Sequence, residues 1–147
     1  MRVRRADPRS PEGRALLGAS QALLTSLYPP EDNFFLSVDG LAAPHIDFWI
    51  AEDGAPLGCV ALARFGGYGE VKSLFVEPSA RGQGVAEALM RGLEERAREA
   101  GLAWLRLETV DTLDAAHRLY ARLGFSSCGP FGDYREGPHS VFMEKRL

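Results

Sequence analysis

The stretch that most constrains this chain is a mostly apolar strand, Val71 to Val76, which Pro78 stops and which then passes through Arg81-Gly-Gln-Gly-Val-Ala86 into a long amphipathic segment. Val85, Leu89, Leu93 and Ala97 lie four residues apart, with Ala86, Met90 and Ala100 beside them and Arg91, Glu94, Glu95, Arg98 and Glu99 opposite. That spacing predicts a helix over 83–100, closed by Gly101. A strand that enters a helix through two glycines leaves several backbone N–H groups free at the positive end of the helix dipole. Gly82 and Gly84 let a bulky anion approach the backbone, and Arg81 adds a positive charge. The dipole alone contributes about 0.3–1 kcal/mol, but charge-assisted N–H bonds contribute roughly 1.5–3 kcal/mol each. A diphosphate suits such a turn. Glycines alone favour a plain tight strand-to-helix turn. Two other phosphate loops fit poorly: position 87 is Glu where a dinucleotide fingerprint needs its third glycine, and no Gly-Lys-Ser/Thr follows.

Around this segment the chain reads as one domain over 1–147, without repeat or linker. Val3 to Ala6 is a short strand stopped by Pro8, and Ser10 caps a helix from Pro11 to Leu27. A short helix is expected over 34–41. Strands at Ile46–Ala51 and Leu57–Ala63 flank an Asp-Gly turn, and Gly66–Gly69 turns into the Val71–Val76 strand. Ala103–Glu108 is a further strand. Thr112 is placed to cap a helix carrying Ala116, Leu119, Tyr120 and Leu123, which Gly124 stops. Pro130–Pro138 is turn-rich, and Ser140–Lys145 is a last strand. The order predicts a mixed α/β sheet.

Composition excludes several classes. With 46% hydrophobic and 25% charged residues, disorder is not expected, and a net charge of -3 argues against nucleic acid or an anionic membrane as partner. The basic start, Met1 to Arg5, lacks the apolar segment of a signal peptide, and no apolar run approaches bilayer length. Cys59 and Cys128 are expected as buried free thiols in a reducing cytoplasm. His45, His117 and His139 have no metal-ligand spacing, so no metal is expected.

Arg81-Gly-Gln-Gly-Val-Ala86 resembles the Gln/Arg-x-x-Gly-x-Gly/Ala signature of the GNAT superfamily of acetyltransferases. Glu70-Val-Lys-Ser-Leu-Phe-Val-Glu-Pro78 and Ala116-His-Arg-Leu-Tyr-Ala-Arg-Leu-Gly-Phe125 resemble that family too, and the three pieces in this order span most of 69–125. The resemblance implies a GNAT-like fold: a mostly antiparallel sheet of six or seven strands, about four helices, and a splay at the acetyl-coenzyme A site. It implies that Arg81, Gly82, Gln83, Gly84, Val85 and Ala86 bind the coenzyme A diphosphate. It also implies that Leu74, Phe75 and Val76 offer backbone groups to the pantetheine arm.

The activity so implied is transfer of acetyl from acetyl-coenzyme A to a primary amine of a small molecule or peptide. An ammonium with a pKa of about 10.4 must first lose a proton. Glu70 is the candidate base, with a water chain as its competitor and pairing to Lys72 or Arg64 as its bland alternative. The N–H of Val76 or Leu74 is placed to stabilise an oxyanion. Tyr120, which spacing alone also fits as a core aromatic, matches the family's tyrosine and is the candidate general acid for the departing thiolate. Many members carry Asn seven residues before that tyrosine; here it is Leu113, so that contact is not carried over. The acceptor pocket is expected from Tyr28–Asn33 and Phe131–Arg135. Glu31, Asp32 and Asp133 there suit a cationic amine such as a polyamine or amino-sugar, and Arg64 or Arg135 suits an amino-acid carboxylate. A catalytically silent acyl-coenzyme A sensor or scaffold is the alternative, and a homodimer paired through the last strand is compatible with the sequence.

Overall fold

The computed structural model describes residues 1–28 and 36–147. In chain order its elements are β1 (Arg2–Arg5), α1 (Pro11–Leu27), the single turn α2 (Val38–Leu41), β2 (Ile46–Asp53), β3 (Ala55–Arg64), β4 (Tyr68–Val76), α3 (Val85–Glu99), β5 (Trp104–Val110), α4 (Asp114–Arg122), β6 (Ser126–Cys128) and β7 (Ser140–Arg146). The seven strands form one sheet in the order β1-β2-β3-β4-β5-β7-β6. Every neighbouring pair is antiparallel except β4 and β5, which α3 connects as a crossover. The mixed, mostly antiparallel sheet expected from the sequence is therefore present.

Local chemistry explains most boundaries. Ser10 Oγ accepts from Gly13 N at 3.1 Å, and Pro11 occupies the first helical position, where no N–H is needed. α3 begins at Val85 rather than residue 83 because Gly84 is left-handed, with φ 79°. α4 ends in a Schellman arrangement: Gly124 takes φ 96° and Phe125 N donates to Tyr120 O at 2.9 Å.

Three expectations need correction. Of the helix expected over 34–41, Phe34 and Phe35 lie outside the described residues, and among the rest Val38–Leu41 is helical, because Ser37 caps it by accepting from Gly40 N at 3.0 Å. Thr112 does not cap α4. Its hydroxyl lies 2.7 Å from Tyr28 Oη, and Leu113 occupies the cap with no side-chain bond. β6 went unseen because three residues at a sheet edge carry no period of their own.

Two cores flank the sheet. On one face Leu16 and Leu17 of α1 pack with Leu41, Phe48, Ile50, Cys59, Ala61 and Phe75. On the other, Val85, Leu89, Met90, Leu93 and Ala97 of α3 cover Trp49, Val60, Leu62, Val71, Leu105 and Leu107, joined by Leu119 and Tyr120 of α4. Gly58 makes this approach feasible, since a Cβ there would meet Phe75 O at 2.5 Å and Leu89 Cδ1 at 3.3 Å.

The sheet opens in one place. β4 carries an extra residue opposite β3 between Lys72 and Phe75, and Ser73 in that bulge has φ 56°, the only non-glycine among the described residues with positive φ. Pairing of β4 with β5 stops at Val71 and Leu107, although β4 runs on to Val76 and β5 to Val110. Beyond that point the strands part, and a cleft passes between the two faces.

Candidate active site

A cavity of about 800 Å³ occupies this cleft. Glu70–Val76 of β4 and Glu108–Val110 of β5 line its sides. On the α3 and α4 face it is bounded by Ala80–Gly82, Gly84–Glu87, Ala116, Leu119, Tyr120 and Arg122, and on the α1 face by Ser20, Gln21, Leu23, Leu24 and Leu27, with Tyr134 beside Glu70.

The turn expected to hold a diphosphate lies at the mouth on the α3 side. After the 3-10 turn Pro78–Ala80, the first α3 backbone bond to a residue before the helix is Ala88 N to Gly84 O at 3.1 Å. Among the described residues no backbone carbonyl accepts from the amides of Gly82 to Glu87. Six N–H groups thus gather at the positive end of a fifteen-residue helix. Gly82 and Gly84 have φ 78° and 79°, and a Cβ on either would meet nothing within 4 Å. The glycines are therefore required by backbone conformation and not by crowding. Of residues 81–86, only Gln83 does not border the cavity; its amide reaches Ser79 O at 3.4 Å. Arg81 Nε approaches Val76 O at 3.4 Å. These donors fit a phosphate-bearing ligand.

Leu74, Phe75 and Val76 all border the cavity, and among the described residues the β5-facing backbone edge of this stretch has no strand partner. Tyr120 lies deeper, 6% exposed. The Schellman turn sets Phe125 against it, with ring centroids 5.7 Å apart. Among the described residues its hydroxyl has no hydrogen-bond partner. Burial, and then the nearby charge of Glu108, push its pKa up, so it stays a phenol O–H at neutral pH.

Glu70 pairs with Lys72, as its bland alternative holds, and not with Arg64. It is 6% exposed, and one oxygen, Oε2, accepts from Lys72 Nζ at 3.0 Å and from Tyr134 Oη at 2.5 Å. Lys72 Nζ also donates to Tyr134 Oη at 2.8 Å. Arg64 takes no part, being held 3.0 Å from Asp47 in a cluster with Arg5 and Arg96, away from the cavity. Asp133 and Arg135 do not border the cavity either, whereas Tyr134 between them does. Glu31 and Asp32 lie outside the described residues. Of the two thiols, Cys59 is buried, but Cys128 is only half-buried, because it sits on the edge strand β6. No group of three or more His, Cys, Asp or Glu among the described residues is placed to hold a metal ion.

Sequence reasoning missed Glu108. It follows Leu107, the last β5 residue paired to β4, so it points into the cleft as soon as the strands part. Burial raises its pKa to about 7 against the opposing pull of Ser140 and Lys72, and Glu70 pushes it further up. One acidic residue in the strand Leu105-Arg-Leu-Glu-Thr-Val110 was the available signal.

Comparison with known proteins agrees with this geometry. The Acetyltransferase (GNAT) family profile matches residues 18–125. The chain belongs to the GNAT acetyltransferase family. It is 46% identical over 127 residues to an IAA acetyltransferase of Azospirillum brasilense, covering 84% of this chain and 83% of that one. A Klebsiella pneumoniae structure described as an acyl-CoA N-acyltransferase superposes with a TM-score of 0.84 at 31% identity, covering 99% of this chain and 97% of that one. An aminoglycoside 6'-N-acetyltransferase solved with coenzyme A shares the GNAT fold, with a TM-score of 0.75 at 18% identity, covering 99% of this chain and 97% of that one.

Proposed function

We propose that this GNAT protein transfers the acetyl group of acetyl-coenzyme A to a primary amine. The observation that carries the reading is the row of unpaired amides from Gly82 to Glu87, at the mouth of the same cleft that holds the buried Tyr120 hydroxyl. The donor's diphosphate accepts from those amides, with Arg81 at the rim. Its pantetheine arm lies along the free edge of Leu74, Phe75 and Val76, which leads the thioester to the point where β4 and β5 part. There the N–H of Leu74 or Val76 polarises the carbonyl oxygen.

Tyr120 donates its proton to sulfur as the carbon–sulfur bond breaks. Its raised pKa keeps the proton on the phenol until the thiolate forms, and the same shift makes it the weaker donor. The amine enters from the α1 side, between the leucines of α1 and the acidic floor. Its ammonium proton passes to a carboxylate there, where Glu70 and Glu108 both border the cavity. The similarity to an IAA acetyltransferase leaves the acceptor's identity open.

Calorimetry of acetyl-coenzyme A binding, beside a thiol-release assay over a panel of primary amines, tests the reading. Tyr120→Phe is expected to bind acetyl-coenzyme A as the parent does and to turn over about 100-fold more slowly. Unchanged turnover would remove Tyr120 from the chemistry. Tight binding with no turnover of any amine by the parent protein would favour an acyl-coenzyme A sensor, and absence of binding would end the assignment.

A further inference from the structure

Two carboxyl groups face each other across the acceptor side of the cleft, and the fold treats them differently. Glu70 on β4 is occupied: the ammonium of Lys72 and the hydroxyl of Tyr134 both donate to its Oε2, at 3.0 and 2.5 Å, and Lys72 donates again to Tyr134. Lys72 and Glu70 therefore neutralise one another within a closed triangle. Among the described residues Glu108 on β5 has a single hydrogen-bond partner, Ser140 Oγ of β7, which donates to Oε2 at 3.0 Å. Among the described residues no cation lies within ion-pair distance of it. Its Oε1 carries no hydrogen bond among the described residues, two residues from the end of β5 and beyond the last β4–β5 pair; Glu70 Oε1 is likewise unbonded, but the Glu70 carboxylate is ion-paired to Lys72 and that of Glu108 to no cation.

We infer that Glu108 is the base that takes the proton of the acceptor ammonium, and that Glu70, Lys72 and Tyr134 form a charge-neutral wall that leaves this task to it. The inference rests on the acetyltransferase reading. The groups facing Glu108 are Glu70 and Lys72 from β4, Tyr134 from the segment before β7, Ser140 from β7 and Tyr120 from α4. Both phenols are pushed up in pKa, so neither competes as a proton acceptor near neutrality. Glu108 itself titrates at about 7. A group half-ionised at the working pH attracts an ammonium and also holds the proton it removes, which is the compromise a general base requires.

The protons balance as follows. One N–H proton of the ammonium moves to Glu108, and the freed nitrogen pair forms the bond to the acetyl carbon. The carbon–sulfur pair departs on sulfur, which takes the Tyr120 proton. A second nitrogen proton then restores Tyr120, and Glu108 releases its own to solvent. Ammonium plus thioester becomes amide, thiol and one proton.

Leu23, Leu24 and Leu27 give the α1 side of the cleft an apolar surface, so phenethylamine is the probe acceptor. In protein carrying 13C-labelled glutamate carboxyls and saturated with coenzyme A, the Glu108 signal is assigned by its loss in Glu108→Gln. It is expected to titrate near 7 and to move down by about one pH unit when phenethylamine saturates the site, because an ammonium beside the carboxylate favours its charged form. In acetylation of phenethylamine, the acidic limb of kcat/KM is expected to vanish in Glu108→Gln, with activity about 100- to 1000-fold lower. In Glu70→Gln that limb persists at lower pH, since removing one negative neighbour and freeing Lys72 both favour Glu108 ionisation. A Glu108 midpoint below 5, a midpoint that phenethylamine leaves unmoved, or an acidic limb retained by Glu108→Gln overturns the inference. Failure of the parent protein to bind acetyl-coenzyme A in a calorimeter overturns instead the reading beneath it.

Discussion

Replacing Gly84 by alanine tests the amide cradle with one added methyl at the cavity's mouth. Gly84 holds φ 79° as the cap of α3, and a Cβ there meets nothing within 4 Å. The cost is therefore purely conformational, about 1–2 kcal/mol for an L-residue in the left-handed region, or roughly 3–7 °C in Tm for a domain of this size. Gly54, in the turn between β2 and β3, provides the matched control: φ is 74°, again with nothing within 4 Å of a Cβ, and it does not border the cavity. Both variants should lose similar stability. They should differ in binding. Relaxing φ at residue 84 rotates the adjoining amides out of the row, and loss of even one charge-assisted bond at about 1.5–3 kcal/mol weakens coenzyme A about 10- to 100-fold. Thermal unfolding and calorimetry with coenzyme A measure the two effects separately. If Gly84→Ala weakens coenzyme A no more than Gly54→Ala does, the amides at the start of α3 do not hold the diphosphate.

Other perturbations test the frame around the site. Asp47 is 4% exposed and accepts from Arg5, Arg64 and Arg96 at 2.7, 3.0 and 3.1 Å. Asp47→Ala strands three cations that are themselves partly solvated and should cost about 3 kcal/mol in urea unfolding; a loss under about 1 kcal/mol would show that the cluster is dispensable. Burial and then Glu77 push the Cys59 thiol up to about 12, and its Sγ donates to Ser73 O at 3.4 Å, so a disulfide reagent at pH 8 should modify Cys128 first and Cys59 only on unfolding. Two equally fast thiols would contradict that burial. Glu108, raised from 4.5 to about 7, keeps its proton in the native state where the unfolded chain has lost it, so its contribution to stability falls as pH rises through that window and is constant above it. Glu108→Gln should match the parent near pH 4 and exceed it by about 2 kcal/mol at pH 8, after allowance for partial solvent screening. A stability gap that does not widen with pH would refute the raised pKa.

Local chemistry along the chain was enough to specify the elements whose signals are self-contained. Ser10 and Pro11 set the start of α1, the four-residue spacing of Val85 to Ala97 made α3 legible, and Gly124 marked the end of α4. The Gly82–Gly84 turn was legible for the same reason, since a left-handed backbone demands glycine whatever surrounds it. What needed the tertiary structure were relations between residues far apart in sequence. Thr112 bonds to Tyr28 across 84 positions, and Glu70 meets Tyr134 across 64. The difference between Glu70 and Glu108 depends on where β4 and β5 stop pairing and on which of the two carboxyls Lys72 reaches. Periodicity reports which face a side chain takes within its own element; the charge and solvent it meets are decided by the elements that fold against it.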